Sequence, residues 1–214
     1  MSLIHHTTLK PAKLELLADW LPTRPWYRGG AGQPSLTRAG GFRLDDPAGE
    51  VGIEFMVASD GSTAYHVPLT YRGSPVEEMD DALIGTSEHG VLGLRWIYDG
   101  TRDPVLVSQL VALIQGEAEP QAQSQSDTPD PTVLSWPTPY GTLGVAPFTV
   151  SDDAEGTMVS VSAAAGELAL RIQRVLRPLT GDGAAPGAVS ATWGLADGTR
   201  ARAVFAAASY EPLA

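Results

Sequence analysis

The sequence contains no cysteine, only two lysines and no long apolar run. Without cysteine, disulfides and thiolate metal sites are excluded. Both lysines, Lys10 and Lys13, lie near the start, which leaves almost no lysine for Schiff-base or phosphate chemistry. No apolar run approaches the roughly 18 residues that a membrane helix needs, and the start of the chain lacks the apolar core of a secretory signal. We therefore expect a cytoplasmic protein with no membrane partner.

Positive charge is also scarce. The chain carries 25 acidic and 14 basic residues, a formal net charge of −11, and no basic stripe offsets it. A polyanion such as DNA is repelled by this balance, so we expect no nucleic-acid partner. The hydrophobic fraction is 43% over 214 residues, which is ordinary for a globular protein and sufficient for a sizeable core.

One segment lacks large apolar residues altogether. Residues 116–132, GEAEPQAQSQSDTPDPT, contain four carboxylates and three prolines. Such a segment cannot bury enough surface to order itself. We therefore predict a linker at residues 117–132, between a first unit at residues 1–116 and a second unit at residues 133–214.

Two helices are predicted in the first unit. The leading helix starts at Pro11, which suits a first helical position. The closing helix has Asp103 as its N-cap, Pro104 in its first turn and Gly116 as its stop. The predicted buried stripes are Leu14, Leu17 and Leu21 in the leading helix, and Val107, Leu110, Val111 and Ile114 in the closing helix.

Alternating apolar and polar residues predict strands over much of the remaining chain. Pro68 lies within one of these strands and indicates an edge or a bulge there. Turns are predicted after Asp99, near Gly166 and after Asp197. Two helices with an antiparallel sheet, followed by a smaller mostly β unit, indicate an α+β fold. The predicted strands are residues 2–9, 51–57, 65–71, 91–98, 142–150, 158–163, 167–175, 188–195 and 200–208.

The stretch LPTRPWYRGGAGQP, residues 21–34, invites comparison with a phosphate-binding loop. A Walker loop needs Lys and then Ser or Thr after its last glycine, whereas Gln33 and Pro34 stand here. A dinucleotide-binding loop follows a strand and opens a helix, whereas this loop follows a helix. We therefore predict no phosphate cradle of either type.

Two interpretations of this loop remain open. In the first, Trp26 and Tyr27 pack the end of the helix onto the sheet, and the glycines permit a tight reversal. In the second, the loop is an aromatic surface for a sugar or a protein. On that interpretation the candidate ligand- or partner-binding residues are Trp26, Tyr27, Arg28, Gly29 and Gly30.

The remaining polar motifs predict no catalytic residue, metal or cofactor. In GTSEHG, residues 85–90, His89 occupies the place where a nucleophile elbow needs glycine. His5 and His6 point to opposite faces of a strand, and His66 has no carboxylate partner that the sequence can place. The acidic run at residues 77–81 lacks the ligand spacing of an EF-hand and is predicted to be a solvated loop, and Glu54 has no second carboxylate.

Four stretches follow one another in the first unit: LPTRPWYRGGAGQP, EVGIEFMVAS, AYHVPLTYRG and YDGTRDPVLVSQLVALIQG. In their order and spacing they resemble the N-terminal cap of actinobacterial maltokinases. The resemblance covers residues 1 to about 116. It implies a cystatin-like fold, in which a curved antiparallel sheet wraps around a helix.

The second unit has a fainter similarity to the intermediate subdomain of the kinase. GELALRIQRVLRP resembles the strand that carries the nucleotide-contacting lysine, with Arg171 or Ile172 near that position, and RARAVFAAASY resembles the strand that leads to the hinge. The family's His-Gly-Asp catalytic loop does not occur, because His89 and Gly90 are followed by Val91. Phosphoryl transfer depends on a positioned base and metal-held phosphates. We therefore expect that this chain is not a kinase by itself.

These observations favour a non-catalytic binding or regulatory module that docks on an enzyme or ligand of trehalose, maltose or α-glucan metabolism. One alternative is a sugar-kinase-like lobe that completes an enzyme site in trans. Another is a homo-oligomeric structural protein that pairs through an edge strand, such as the one with Pro68 or the last strand of the chain.

Overall fold

The structure is a computed structural model that describes residues 9–30, 32–125, 127–138, 147–163, 166–180 and 185–212. His5, His6 and most of the strand predicted at residues 2–9 lie outside these residues, as do residues 142–146 of a second predicted strand.

The described residues form two α-helices and a mostly antiparallel sheet of fourteen strands, which agrees with the expected α+β class. No helix within these ranges is both long and apolar enough to cross a bilayer. The helices are α1 (Lys13–Trp20) and α2 (Pro104–Gln115). The strands are β1 (Leu9–Lys10), β2 (Leu36–Leu44), β3 (Gly52–Asp60), β4 (Thr63–Arg72), β5 (Leu83–His89), β6 (Gly93–Asp99), β7 (Gln121–Ala122), β8 (Leu134–Ser135), β9 (Phe148–Asp153), β10 (Gly156–Ala163), β11 (Gly166–Gln173), β12 (Val175–Leu176), β13 (Ala188–Gly194) and β14 (Arg200–Pro212).

Helix α2 forms where local sequence signals predict it. The Asp103 side chain caps its start by accepting a hydrogen bond from the backbone N–H of Val105 at 2.9 Å. Pro104 occupies the first turn, and Gly116 ends the helix in the left-handed conformation with φ of 77°. The predicted stripe of four apolar residues is buried. Both ends and the buried face of this helix are therefore confirmed.

The strands of the two halves of the chain join into a closed ring. Neighbouring strands pair in the order β4, β3, β2, β13, β14 and β11. β12 continues β11 after a single residue and pairs back with β4, where Val175 lies opposite Tyr65. If β11 and β12 are counted as one strand, six strands close the ring. Three of them come from the first half of the chain and three from the second.

Pro68 lies in an interior strand, because β4 has β3 on one side and both β12 and β6 on the other. The prediction of an edge strand is therefore wrong for β4 as a whole. Backbone N–H groups alternate in direction along a strand, and the N–H of His66 bonds to the carbonyl of Arg174 on the β12 side. The nitrogen of Pro68 faces the same side, in the gap between the part of β4 that pairs with β12 and the part that pairs with β6. No strand lies opposite this nitrogen, so the absence of an N–H on Pro68 removes no hydrogen bond between strands.

Strand β2 was not predicted from the sequence, because its LTRAGGFRL pattern has two central glycines and few apolar residues. Gly41 has φ of 132°, and an added Cβ there would lie 2.2 Å from the carbonyl oxygen of Phe55. Gly40 pairs with Trp193 of β13. Gly40 therefore permits the close backbone approach that joins the first half of the ring to the second, and Gly41 permits the close approach of β2 to β3 within the first half.

A single large hydrophobic core serves both halves of the chain. Its buried residues come from all six ring strands and from α2, and they include Phe42, Phe55, Val189 and Phe205. A second cluster lies on the opposite face of β4 and packs α1 and the loop behind it against Tyr65, Val67 and Leu69.

The segment predicted as a linker lies on the sheet. Ala122 of β7 pairs with Phe42 of β2, and Gln123 donates a side-chain hydrogen bond to Glu54. The segment is therefore ordered by the surface beneath it. The division of the chain into units at residues 116 and 132 stays a prediction.

The Asp103 carboxylate, which is completely buried, combines a helix cap with an ion pair. Its two oxygens accept hydrogen bonds from Arg72 Nη2 at 2.7 Å and from Arg72 Nε at 2.8 Å. In Asp103→Ala both interactions are lost, and we expect the free energy of unfolding to fall by about 2–4 kcal/mol. Asp103→Asn retains the cap but loses the charge that pairs with Arg72, so its free energy of unfolding should fall by about 1–2 kcal/mol. Urea denaturation of the full chain measures both losses, and equal losses would contradict the proposed contribution of the cap.

Candidate functional site

The loop behind α1 is built around Trp26, which is completely buried. Its ring packs edge-on against Trp20 at a centroid distance of 5.7 Å and lies 6.3 Å from the ring of Tyr65. Leu17 and Leu21 belong to the same buried cluster. Trp26 therefore fixes the end of α1 to the sheet, which is the first of the two interpretations of the loop.

The next residues of the loop turn outward. Tyr27 stacks on Tyr65 with ring centroids 5.5 Å apart, and the Tyr65 hydroxyl accepts a hydrogen bond from the backbone N–H of Arg28 at 3.1 Å. A Cβ on Gly29 would lie 1.9 Å from the Tyr27 hydroxyl oxygen, whereas Gly30 has open space around it. Tyr65 thereby holds the loop in the position that directs Arg28 toward the second half of the chain.

A buried ion pair between Arg174 and Asp99 lies behind this loop. Arg174 Nη2 lies 2.8 and 2.6 Å from the two carboxylate oxygens of Asp99, and both residues are almost completely inaccessible to solvent. Arg174 connects β11 to β12, and Asp99 ends β6. The pair therefore links the two strands that flank β4 on the side of Pro68.

Several neighbours support the charge on each partner. Arg174 Nε donates to the hydroxyl of Thr157 at 2.7 Å, its Nη2 donates to the hydroxyl of Thr101 at 3.0 Å, and its guanidinium lies 5.0 Å from the Trp26 ring centroid. Burial alone would raise the pKa of Asp99, but the charge of Arg174 and the hydrogen bonds from Arg174 and Thr101 outweigh it and lower that pKa.

His66 is completely buried next to this pair. Its Nδ1 lies 2.9 Å from the carbonyl oxygen of Gln173, so this nitrogen carries the proton and donates it. The ring lies 4.4 Å from that of Phe205 and 5.9 Å from that of Phe55. Burial, followed by the charge of Arg174, lowers the pKa of His66 from 6.5 to about 3. His66 is therefore neutral at physiological pH and packs as an apolar ring.

A cleft of about 210 Å³ opens where the loop meets the second half of the chain. One wall is Arg28, and the rest comes from the β9–β10 turn, from the end of β11 and the residues after it, and from β14. The residues of the second half that line it are Ala154, Glu155, Gln173, Val175, Arg177, Leu179 and Val204.

Arg28 spans the mouth of this cleft. Its Nη2 donates to the carbonyl oxygen of Ala154 at 2.5 Å and lies 3.3 Å from a carboxylate oxygen of Glu155. The Glu155 side chain is 68% exposed, so this ion pair is weak. Arg177 lines the same cleft and is exposed. The cleft is therefore a place where two guanidinium groups face solvent in a strongly acidic protein.

Glu54, for which the sequence suggested no partner, is buried and fully engaged. It pairs with Lys13 Nζ at 2.6 Å and accepts hydrogen bonds from Tyr71 and Gln123. Burial would raise its pKa, but the Lys13 charge and these hydrogen bonds lower it. Glu54 anchors α1 and the segment after α2 to β3, and it has no solvent-facing oxygen for acid–base chemistry.

The acidic run forms a short 3₁₀ turn, Glu77–Ala82, and lines a second cleft near Arg102. Arg102 Nη2 lies 3.3 Å from a carboxylate oxygen of Asp152.

Within the described ranges, no group of three or more histidine and carboxylate side chains is arranged to hold a metal ion.

The β5–β6 hairpin carries an exposed apolar tip. Val91, Leu92 and Leu94 are 63%, 46% and 39% exposed. His89 Nδ1 accepts hydrogen bonds from the backbone N–H groups of Val91 and Leu92, which fixes the turn. Clustered exposed apolar side chains of this kind are typical of interaction surfaces.

Sequence reasoning missed the Arg174–Asp99 pair and Arg177. The signal for Arg174 was present, because it continues the alternation of the buried residues Leu168, Leu170 and Ile172. A charged residue at a position that alternation assigns to the interior requires a buried partner. The position of that partner depends on the fold, so the sequence alone could not identify Asp99.

Residues 20–103 match the family model of the maltokinase N-terminal cap domain. The matched segment runs from the last residue of α1 to the N-cap of α2 and covers about two fifths of the chain. It includes Trp26, Arg28, Asp99 and the apolar tip. The resemblance of the first half to this cap is therefore confirmed. No curated protein shows significant sequence similarity to the chain.

The low pKa of His66 makes stability depend on pH. The unfolded chain binds a proton at His66 below about pH 6.5, whereas the folded chain does so only below about 3, so stability falls as pH decreases through this window. We expect the wild type to lose about 2 kcal/mol between pH 7.5 and 5 from this residue. His66→Leu should abolish that loss, whatever its stability at pH 7.5. Urea denaturation at several pH values measures it, and an unchanged slope in the variant would contradict the assignment.

The Arg174–Asp99 pair can be tested by a double-mutant cycle. Arg174→Met leaves the Asp99 carboxylate buried without a counter-charge, and we expect a loss of about 3–5 kcal/mol. Combining it with Asp99→Leu removes the second charge and should recover a large part of that loss, because an apolar pair has no charge to desolvate. Denaturant unfolding of the three variants measures the coupling. Additive losses would show that the two side chains do not act as a pair.

Proposed function

We propose, from the maltokinase N-terminal cap segment at residues 20–103, that the chain is a non-catalytic binding or regulatory module of maltose, trehalose or α-glucan metabolism. In this role it docks on an enzyme of that metabolism. The match to the cap is the single observation that carries the proposal, because it is the part of the chain for which a relationship to known proteins is established.

The state of the buried ionisable groups supports a non-catalytic role. Glu54 is neutralised by Lys13, and Asp99 is neutralised by Arg174. His66 is enclosed between aromatic rings and the sheet. A general base must reach the proton that it removes, and each of these groups is committed to packing or to an ion pair.

The proposal extends to the arrangement of the chain. The cap comprises residues 1–116 with a cystatin-like sheet, residues 117–132 are a connecting segment, and residues 133–214 form a mostly β unit that resembles a kinase intermediate subdomain. The resemblance puts either Arg171 or Ile172 near the family's nucleotide-contacting lysine. Arg171 makes a two-pronged ion pair with Asp153, with both distances 2.7 Å. Ile172 is buried in the core. These contacts favour a subdomain that has lost nucleotide binding.

We assign docking on the enzyme to the apolar tip of the β5–β6 hairpin, Val91, Leu92 and Leu94. The tip lies within the cap segment, and it contains the most exposed large apolar side chain among the described residues. Trp26 and Tyr27 hold Arg28 at the cleft through their packing on Tyr65. Together with Gly29 and Gly30, these loop residues are proposed as a separate contact for a ligand.

Affinity capture with the tagged full chain tests the docking role. We expect quantitative mass spectrometry to identify an enzyme of maltose, trehalose or α-glucan metabolism. Val91→Ser combined with Leu92→Ser should reduce its recovery by about tenfold, since two apolar side chains that become buried contribute more than 1.4 kcal/mol. Leu134→Ser, which changes an apolar side chain that is 41% exposed outside the cap segment, is the matched control and should leave recovery unchanged.

Three outcomes oppose the proposal or the assignment of docking to the hairpin tip. Capture of no such enzyme by a folded bait would remove the docking role. Turnover of ATP with maltose by the purified chain alone would show that it is an enzyme. Equal losses with the hairpin-tip variant and with Leu134→Ser would place the docking surface elsewhere.

A further inference from the structure

We infer that the cleft between Arg28 and Arg177 binds the phosphate group of a small phosphomonoester. The inference concerns a site that is separate from the apolar tip, and it does not depend on docking to an enzyme.

Arg177 is one cation of the cleft, and it is open to solvent. The other eleven arginine side chains each make a hydrogen bond or an ion pair, whereas that of Arg177 makes none within the part of the chain that the structure describes. Arg177 is therefore exceptional among the twelve arginines, all of which the structure describes, in having neither a carboxylate nor another hydrogen-bond acceptor among the described residues. Its exposed guanidinium is available to an anion from solution.

Arg28 supplies the second cation of the cleft. Its hydrogen bonds use only Nη2, so its Nε and Nη1 make none to the described residues. The bond to the carbonyl oxygen of Ala154 and the support of the loop by Tyr65 fix the guanidinium in place without neutralising it. Each free guanidinium nitrogen can donate a charge-assisted hydrogen bond to a phosphate oxygen, and a guanidinium that is already held in place loses little entropy on binding.

The walls of the cleft suit a small organic group attached to the phosphate. Val175, Leu179 and Val204 provide apolar surface, and the side-chain amide of Gln173 makes no hydrogen bond within the described ranges. A volume of about 210 Å³ is too small for a long chain and sufficient for a phosphate with a compact neighbouring group.

Glu155 regulates access to this site. Its carboxylate lies 3.3 Å from Arg28 Nη2 and is mostly exposed, so it competes with an incoming anion and can swing away at little cost. A phosphate dianion that contacts two arginines gains more than this single exposed ion pair does. Removing the Glu155 charge should therefore strengthen phosphate binding, whereas removing the Arg177 charge should weaken it.

Isothermal titration calorimetry on the full chain tests the inference, with inorganic phosphate and glucose 6-phosphate as ligands and glucose as the uncharged control. We expect both phosphates to bind and glucose not to bind. Arg177→Gln should raise the dissociation constant by about tenfold, the effect of losing one charge-assisted contact. Glu155→Gln should lower it by about twofold to threefold. Arg200→Gln, which changes an exposed arginine bonded to Thr192, is the matched control and should have no effect.

The arginine Nε–Hε resonances in ¹⁵N-edited NMR spectra provide a second readout that does not depend on overall stability. Phosphate should shift the resonances of Arg28 and Arg177 and leave that of Arg200 in place. Absence of binding by both phosphates would overturn the inference. So would an equal loss of affinity in Arg177→Gln and Arg200→Gln, which would indicate a general effect of net charge. Binding of glucose as strong as that of glucose 6-phosphate would also overturn it.

Discussion

The ion pair between Arg174 and Asp99 is the constraint around which the two halves of this chain are arranged. It lies at the point where β4 changes neighbours from β12 to β6, so no ladder of backbone hydrogen bonds connects those two strands there. The bidentate contact supplies the connection instead. Because a charge that loses its partner in the interior costs several kcal/mol, each of the two strands holds the other in place beside β4.

The same pair positions the candidate cleft. Arg174 lies under the Trp26 ring, and Trp26 sets where the loop leaves α1. The residues that follow Trp26 bring Arg28 to the β9–β10 turn, and those that follow Arg174 bring Arg177 to the same place. The same two short segments, residues 26–28 and residues 174–177, therefore contribute both to the buried contact of Arg174 with Trp26 and to the exposed cleft with Arg28 and Arg177.

Features that depend on neighbouring residues were predicted correctly from the sequence, whereas features that depend on residues far away in the sequence were missed. Helix α2 was predicted completely, because Asp103, Pro104 and Gly116 act within one turn of its ends. Most of the described strands in the second half follow from alternation between adjacent residues. Strand β2 was missed because Gly40 and Gly41 weaken the local strand pattern, and the reason for Gly40 is the backbone of β13, which lies far away in the sequence. The cleft was missed for the same reason, since Arg28 and Arg177 come together only in the folded chain. The packing role of Trp26 was anticipated. The edge or bulge predicted at Pro68 was wrong, because β4 has neighbours on both sides and pairs with β3 in unbroken register.

The closed strand ring has a consequence for how the chain acquires its structure during synthesis. The pairing of Tyr65 with Val175 connects residues more than 100 positions apart, and the cap segment is complete long before the ribosome reaches the second of them. Until then the outer sides of β2 and β4 have unsatisfied backbone groups and uncovered apolar side chains. Contacts of such long range form slowly, and open strand edges favour association between nascent chains. Residues 20–103 alone therefore leave open two strand edges that β12 and β13 of the second half cover in the complete chain.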